Sequence, residues 1–230
     1  RQDSDAQAAF ERGIELLPEA APFHYYMAQV LLRQQELPAA QASLQEALEL
    51  QPNFAQAHFY LGRVLINQNQ YQTALEHLDT ARNLNPGIPD VAFQMGIAYK
   101  ALGKDSEAIK ELERPVSFTP DRARVRISLG DCFLRLGNWD AALKHLSIAV
   151  GLEPNHSRAH LLRAKALLEL GRQKEAIESL ERSIAAAPKS EDPHYLLAQI
   201  YARQGDDESA NEQIELYEEK KRIAKQREKD

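Results

Sequence analysis

Four histidines are the residues whose type and spacing in this sequence most invite a chemical role. His24, His58, His160 and His194 occupy the same phase of a 34-residue period, and imidazoles in register could bind a metal ion or relay protons. Equivalent positions on neighbouring packed helices lie about 8–10 Å apart, whereas a zinc–nitrogen bond is about 2 Å long. One ion could not join two of these rings, so the pattern favours histidines that pack within each repeat.

The other reactive side chains form no pattern that is typical of catalysis. The sequence has no nucleophile beside a local base, no phosphate-binding glycine loop and no metal-ligand spacing. Cys132 is the only cysteine, which excludes an internal disulfide. The sequence therefore predicts a protein that is not an enzyme and that has no cofactor and no metal site.

Composition and charge narrow the classes of partner. Of the 230 residues, 43% are hydrophobic and 27% are charged, and the net charge is −6. This composition is ordinary for a soluble protein, and the acidic balance argues against general binding of nucleic acid. No apolar run is long enough to span a bilayer, so direct membrane insertion is not expected. Cytoplasmic and periplasmic locations are both compatible with the sequence.

The sequence is organised by a repeat of 34 residues. Within the stretch 55–88, apolar residues recur with helical spacing in two blocks, which predict a first helix over 55–68 and a second over 71–84. Asn69 occupies the break between them and glycines occupy it in later repeats; both residue types tolerate the left-handed conformation that ends a helix. Prolines and alanines keep the same period: Pro18, Pro52, Pro86, Pro120, Pro154 and Pro188; Ala6, Ala40, Ala74, Ala108, Ala142, Ala176 and Ala210.

Repeat boundaries follow from this period. Residues 1–20 are predicted to be the second helix of a truncated repeat, as if a longer array began before residue 1. Five full repeats are predicted over 21–54, 55–88, 89–122, 123–156 and 157–190. A last repeat over 191–230 is predicted to end in an extended, charged capping helix.

Two local features modify these helices. Asn53, Asp121 and Asn155 follow periodic prolines, where their side chains are expected to cap the next helix. Pro115 falls in the middle of a predicted second helix, where a proline removes a hydrogen bond to the carbonyl of Glu111. That helix is therefore expected to kink or to end early.

The residues of the repeat resemble the tetratricopeptide repeat (TPR). The pattern Leu61-Gly62-x2-Leu65, followed by Ala74-x3-Leu78, Ala81 and Pro86, is similar to the family pattern, and the later repeats match it more fully. The resemblance covers the whole chain. It implies an all-α solenoid in which antiparallel helix pairs stack into a right-handed superhelix, and a concave groove, lined by the first helices, that holds a peptide or a partner's helix.

Two departures from the family restrict the partner. Chaperone-binding relatives carry a clamp of Lys and Asn along the first helices, where this sequence has Tyr25 with Gln29 and Phe59 with Arg63. Relatives that serve a sugar transferase carry an asparagine ladder along the groove. The matching positions here are Tyr26, Tyr60, Gln94, Ser128, Leu162 and Leu196. Neither kind of partner is favoured.

A helical wheel assigns one face of each first helix to the groove. Counted from the start of each repeat, positions 4, 7 and 11 are predicted to form the core, positions 2, 6, 9 and 13 to face the concave surface, and positions 5 and 12 to flank it. The surface is therefore expected to be aromatic toward the N-terminus and net basic toward the C-terminus. The predicted partner-binding residues are Tyr25, Tyr26, Phe59, Tyr60, Arg63, Asn67, Gln94, Arg124, Arg135, Arg158 and Lys165.

These residues also have simpler explanations. The aromatic rings could serve packing between adjacent first helices, and the arginines could form a solvated face that nearby carboxylates balance. The last helix is expected to be a cap, although it could instead dock on another chain.

The sequence thus predicts a non-catalytic protein–protein interaction module, an adaptor or scaffold that binds a partner peptide or helix in its groove. The partner is expected to present an apolar anchor and acidic residues, and self-association through exposed end helices stays open. The alternative is that the repeats form the targeting or substrate-recruiting region of a larger enzyme, such as a glycosyltransferase or peptidase.

Overall fold

Helices account for all the regular structure in the residues that the structure, a computed structural model, describes. These are residues 2–88, 90–118 and 123–227, with side chains described within 4–88, 90–114 and 123–226. The helices are α1 (Gln2–Leu16), α2 (Ala21–Arg33), α3 (Leu37–Leu50), α4 (Ala55–Asn67), α5 (Tyr71–Leu84), α6 (Val91–Ala101), α7 (Asp105–Phe118), α8 (Ala123–Arg135), α9 (Trp139–Leu152), α10 (Ser157–Glu169), α11 (Gln173–Ala186), α12 (Asp192–Gln204) and α13 (Asp207–Arg227). The prediction of an all-α fold is confirmed.

The chain forms two compact units, Arg1–Pro115 and Val116–Asp230. In the N-terminal unit α2 packs on α3 and α4 on α5, and each pair contacts the next through α3 with α4 and α5 with α6. In the C-terminal unit the pairs are α8 with α9, α10 with α11 and α12 with α13, joined through α9 with α10 and α11 with α12. This succession of helix pairs, each packed on the next, is the arrangement of an α-solenoid.

A left-handed residue separates the two helices of each repeat. Asn69 has φ of 61°, and the glycines at the matching positions have φ of 72–76°, as the sequence predicted. Gln35 takes the same conformation in the first full repeat, with φ of 64°. A side chain with a Cβ is strained there, since glycine is the residue that adopts positive φ without steric cost.

The core of each repeat is built around one leucine of the second helix. Leu44, Leu78, Leu112, Leu146 and Leu180 have no exposed surface. In the three middle repeats this leucine faces a glycine of the first helix: a Cβ added at Gly62 would lie 2.7 Å from Cγ of Leu78, and one added at Gly96 would lie 2.5 Å from Cγ of Leu112. The missing side chain lets the two helices approach closely at that point.

Two local predictions, the side-chain caps at Asn53 and Asn155 and an early end of the helix at Pro115, are wrong, whereas the alternative of a kink at Pro115 stays a prediction. Helix α4 begins after Phe54 with no side-chain cap. At α10 the cap is His156 and not Asn155, because Nδ1 of His156 accepts a hydrogen bond from the Ala159 amide at 3.2 Å. Asp121, like Pro120 and Pro89, lies outside the described residues. Helix α7 does not end early at Pro115; it continues to Phe118 and has the same 14 residues as α5 and α9.

Candidate partner-binding surfaces

The exposed face of each first helix is narrower than the wheel predicted. On α2, for example, Pro22, Tyr26 and Arg33 are exposed and Gln29 is half-buried, which is one stripe at helical spacing. Position 5 does not flank this stripe, because Tyr25 and Phe59 are each only 8% exposed. Their rings pack between helices, which is the simpler explanation that the sequence left open.

The N-terminal unit carries a cluster of aromatic rings on this side. Tyr26 is 46% exposed, and its ring stacks on the half-buried Phe10 at 5.6 Å between centroids. Tyr25 lies beneath, 5.0 Å from Tyr26 and 5.6 Å from Tyr60. The exposed guanidinium of Arg63 lies over the Tyr60 ring, 5.2 Å from its centroid. We refer to Phe10, Tyr26, Tyr60 and Arg63 as the aromatic face.

Tyr25 lies beneath the aromatic face, and this environment changes the pKa of its phenol. Burial raises the pKa of the Tyr25 phenol to about 12, and the neighbouring Tyr60 and Tyr26 hydroxyls contribute to the same shift. Its ring also contacts Phe54 at 4.9 Å, at the start of the next repeat. Tyr25 therefore stays neutral and joins two successive first helices.

Two other predicted residues lie at the edge of the N-terminal unit's surface. Asn67, the last residue of α4, is exposed, and Gln94 of α6 is half-buried. Neither has a hydrogen bond to the aromatic face among the bonds that the structure gives. They extend the polar rim of the surface along α4 and α6.

The C-terminal unit carries an open groove of about 590 Å³ on its first helices. It is lined by residues at positions 6, 9, 12 and 13 of α8, α10 and α12, together with one residue of α9. These residues are Asp131, Leu134, Arg135, Trp139, Leu162, Lys165, Leu168, Glu169, Leu196, Gln199 and Arg203. We refer to them as the charged groove.

Charges in this groove alternate in sign along and between the helices. Asp131 and Arg135 on α8 face Lys165 and Glu169 on α10 in the next repeat, with the order of signs reversed. Arg158 donates from Nη2 to Oδ2 of Asp131 at 3.0 Å, so part of the predicted basic character is neutralised by an ion pair. Arg124 is exposed about two turns before the groove residues of α8. The lining of the groove contains three cations and two carboxylates around an apolar floor.

Of the sequence-predicted residues, the structure brings Tyr26, Tyr60 and Arg63 together in one unit and Arg135 and Lys165 together in the other. Trp139 is a groove residue that the sequence reasoning missed, because only first helices were assigned to the surface. The signal was present, since Trp139 is the only tryptophan and lies two residues after the left-handed Gly137.

The in-register histidines hold the turns between repeats. Nε2 of His24, His58 and His160 donates to the carbonyl oxygen of the periodic proline six residues earlier, at 3.0, 2.9 and 2.8 Å. Each bond satisfies a carbonyl near the end of the preceding helix. His194 differs, because its Nδ1 donates to Oε1 of Gln213 at 2.8 Å.

At the same position of the repeat, His58, Arg126 and His194 each form a polar contact with a residue of the second helix 19 positions later. Since Nε2 of His58 carries a proton, its Nδ1 accepts from Nδ1 of His77 at 2.9 Å. Burial lowers the pKa of His77, and the adjacent His58 ring contributes to the same shift. In the fourth repeat Arg126 donates to Nδ1 of His145 at 3.2 Å. Burial, aided by Arg126 and Lys144, lowers the pKa of His145 to about 4.

Within residues 2–88, 90–118 and 123–227, no group of three or more His, Cys, Asp or Glu side chains is arranged to hold a metal ion. No helix in that part of the chain combines the length and apolarity needed to cross a membrane. The in-register histidines thus have structural partners, which lie in the turn that precedes their repeat or on its second helix.

Comparison with known proteins identifies the class of this fold. Two sequence profiles of the tetratricopeptide repeat match along the chain, one over residues 4–40, 27–89 and 129–191 and the other over 65–126 and 167–222. The protein belongs to the tetratricopeptide repeat family. A search of curated protein sequences finds no significant match.

Solved structures of the same fold agree with this assignment. YrrB, described as a TPR protein with an unusual peptide-binding site, is 24% identical, with 80% of this chain and 95% of YrrB covered and a TM-score of 0.69. MamA from Desulfovibrio magneticus RS-1 is 21% identical over 74% of this chain and 96% of MamA, with a TM-score of 0.69. The C-terminal part of a TPR protein from Cytophaga hutchinsonii is 17% identical over 94% of this chain and 89% of its own, with a TM-score of 0.70.

Proposed function

We propose that this protein is a non-catalytic interaction module that binds a segment of another protein on the exposed faces of its first helices. The observation that carries the proposal is the charged groove, in which side chains from three successive first helices line one concavity. YrrB, which has the same fold, is described by its peptide-binding site. A concave surface with an apolar floor and a few oriented polar groups is the usual form of a binding site.

The groove favours a segment with one large apolar side chain between acidic residues. Leu162 and Leu196, at position 6 of α10 and α12, provide the floor; Leu162 is 6% exposed and Leu196 is half-buried. Arg135, Lys165 and Arg203 stand around it as donors for carboxylates. Charge-assisted pairs of this kind speed association and fix orientation more than they add affinity.

Selection from a random peptide display library on the intact chain tests this function. The selected peptides are expected to share an aliphatic or aromatic residue with Asp or Glu on either side. The combined variant Arg135→Glu with Lys165→Glu should slow association with such a peptide by about tenfold at low salt and flatten its dependence on salt. Leu196→Ala should mainly hasten dissociation.

The matched control reverses two charges elsewhere on the same unit. Lys144 and Lys174 are exposed on the second helices α9 and α11, so Lys144→Glu with Lys174→Glu changes the net charge equally. Equal slowing by the control and the groove variant would show that only net charge matters. A peptide pool with no acidic or apolar preference would contradict the proposed ligand.

A further inference from the structure

The aromatic face of the N-terminal unit presents two rings that lie close to the same buried tyrosine. Tyr26 and Tyr60 occupy position 6 of α2 and α4, and each lies within 5.6 Å of the buried Tyr25. Their centroids are therefore at most about 11 Å apart, consistent with the 8–10 Å between packed helices. A polyproline II helix advances about 3.1 Å per residue and repeats every three residues, so its equivalent side chains are about 9 Å apart.

Hydrogen-bond donors surround these rings, and carboxylates are absent from the helices that carry them. None of α2, α4 and α6 contains Asp or Glu, although the protein is acidic overall. The exposed stripes instead offer the Tyr26 hydroxyl, the guanidinium of Arg63 and the amide groups of Gln56 and Asn67. This surface is complementary to a ligand that is rich in acceptors.

Because the aromatic face offers hydrogen-bond donors, it favours an extended ligand over a helical one. The carbonyl groups of a polyproline II segment make no internal hydrogen bonds and remain available as acceptors. In an α-helix nearly all carbonyls are bonded within the helix, so donors beneath it would lose water without gaining a partner. Proline rings also pack well on exposed aromatic rings and lose little conformational entropy on binding.

We propose that the aromatic face binds a proline-rich segment in the polyproline II conformation, with prolines one turn apart packed on Tyr26 and Tyr60. Arg63, held over the Tyr60 ring at 5.2 Å, donates to a carbonyl of the segment between those prolines. This site lies in the N-terminal unit and does not depend on the charged groove proposed above.

Titration of the isotope-labelled intact chain with decaproline, followed by NMR, tests the proposal. Amide resonances of α2 and α4 are expected to shift on addition of the peptide. Tyr26→Ala and Tyr60→Ala should each raise the dissociation constant at least about fivefold, because each removes one ring from the contact. Tyr26→Phe and Tyr60→Phe keep the rings and should change it by less than about threefold.

The chain offers a matched control for ring exposure. Tyr195 on α12 is 44% exposed, close to the 46% of Tyr26, and Tyr195→Ala should leave decaproline binding unchanged. Arg135→Glu with Lys165→Glu should also leave it unchanged, which separates this proposal from the function of the groove. Thermal unfolding of each variant shows whether the helices remain folded.

Three results would overturn the proposal. One is the absence of shifts at millimolar decaproline, and another is shifts confined to the C-terminal unit or to second helices. The third is binding at Tyr26 and Tyr60 by an amphipathic helical peptide while decaproline has no effect. The wild-type titration decides between these results even if an alanine variant fails to fold.

Discussion

The repeats of the two units have the same kind of core. The units differ in the exposed face that their first helices present. In the N-terminal unit α2, α4 and α6 contain no carboxylate, and the exposed stripe is aromatic. In the C-terminal unit α8, α10 and α12 contribute both carboxylates and cations to the charged groove. Beneath both faces the same leucine is fully buried in the second helix of each of the five full repeats. The difference shows that the repeat constrains its core positions and leaves the surface stripe free to specify a partner.

The shared core can be broken in both units by the same substitution. Leu78→Ala and Leu146→Ala each remove a side chain with no exposed surface that faces a glycine. Each should lower the free energy of unfolding by about 3–5 kcal/mol, because a cavity remains that the neighbouring helix cannot fill. Native-state hydrogen exchange should show the loss of protection in the unit that carries the change. A cost below about 1 kcal/mol in one unit only would contradict the idea of a common core.

Low pH should weaken the C-terminal unit through His145. Its pKa is about 4 in the folded protein and about 6.5 in an unfolded chain, so the unfolded state binds the proton first as the pH falls. Stability is present above pH 6.5 and declines toward pH 4, by roughly 2–3 kcal/mol. His145→Asn keeps an acceptor for Arg126 but does not titrate, so its unfolding free energy should fall less over this range. If the unfolding free energy of the two proteins depended on pH in the same way, protonation of His145 would not be coupled to unfolding.

High pH should weaken the N-terminal unit through Tyr25. The pKa of its phenol is raised to about 12 in the folded state and is about 10 when unfolded. The unfolded state therefore loses the proton first, and about 2 kcal/mol of stability that is present below pH 10 is lost as the pH rises toward 12. Tyr25→Phe removes this dependence. Denaturant unfolding at pH 9 and pH 11.5 measures the difference, and Tyr195→Phe in the other unit is the control.

The smallest losses of stability are expected from two surface contacts, one in each unit. Arg63→Gln removes a cation that lies over the Tyr60 and Phe59 rings. It should lower the free energy of unfolding by about 0.5–1 kcal/mol. Arg158→Gln removes the ion pair with Asp131, in which the arginine side chain is 62% exposed, and should cost less than about 1 kcal/mol. Only the second loss should shrink at high salt. A salt-dependent loss for Arg63→Gln would indicate an ion pair instead of a ring contact.

The regular part of the fold could be predicted because a fixed period reports directly on helices and turns. The second helix over 71–84 and the left-handed residue at Asn69 follow from periodicity and from the conformational tolerance of asparagine. The caps could not be predicted, since His156 and Asn155 are adjacent and capping depends on where the first turn begins. Helix α7 continues past Pro115 to Phe118 although a proline disfavours a helix interior, so local propensity alone does not set the end of this helix.

The surface was predicted less well than the fold for a geometric reason. A wheel describes one helix, whereas the burial of Tyr25 depends on Phe54 and Tyr60 of the next repeat. The bond from each histidine to the periodic proline likewise requires the path of the chain between repeats. The roles of Tyr26, Tyr60, Arg135 and Lys165 in binding remain proposals that the experiments above test.

The contacts between the two helices of a repeat determine which segments can be exchanged between repeats. Gly62 fits Leu78, and His58 fits His77, so the two helices of a repeat are fitted to each other at two points. Other repeats use different partners at the same places, such as Arg126 with His145. A chimera that exchanges single helices among the middle repeats would keep the Gly–Leu contact and mismatch the polar one, whereas an exchange of whole repeats, cut near the periodic prolines, would preserve both. New surface stripes can therefore be assembled by shuffling intact repeats.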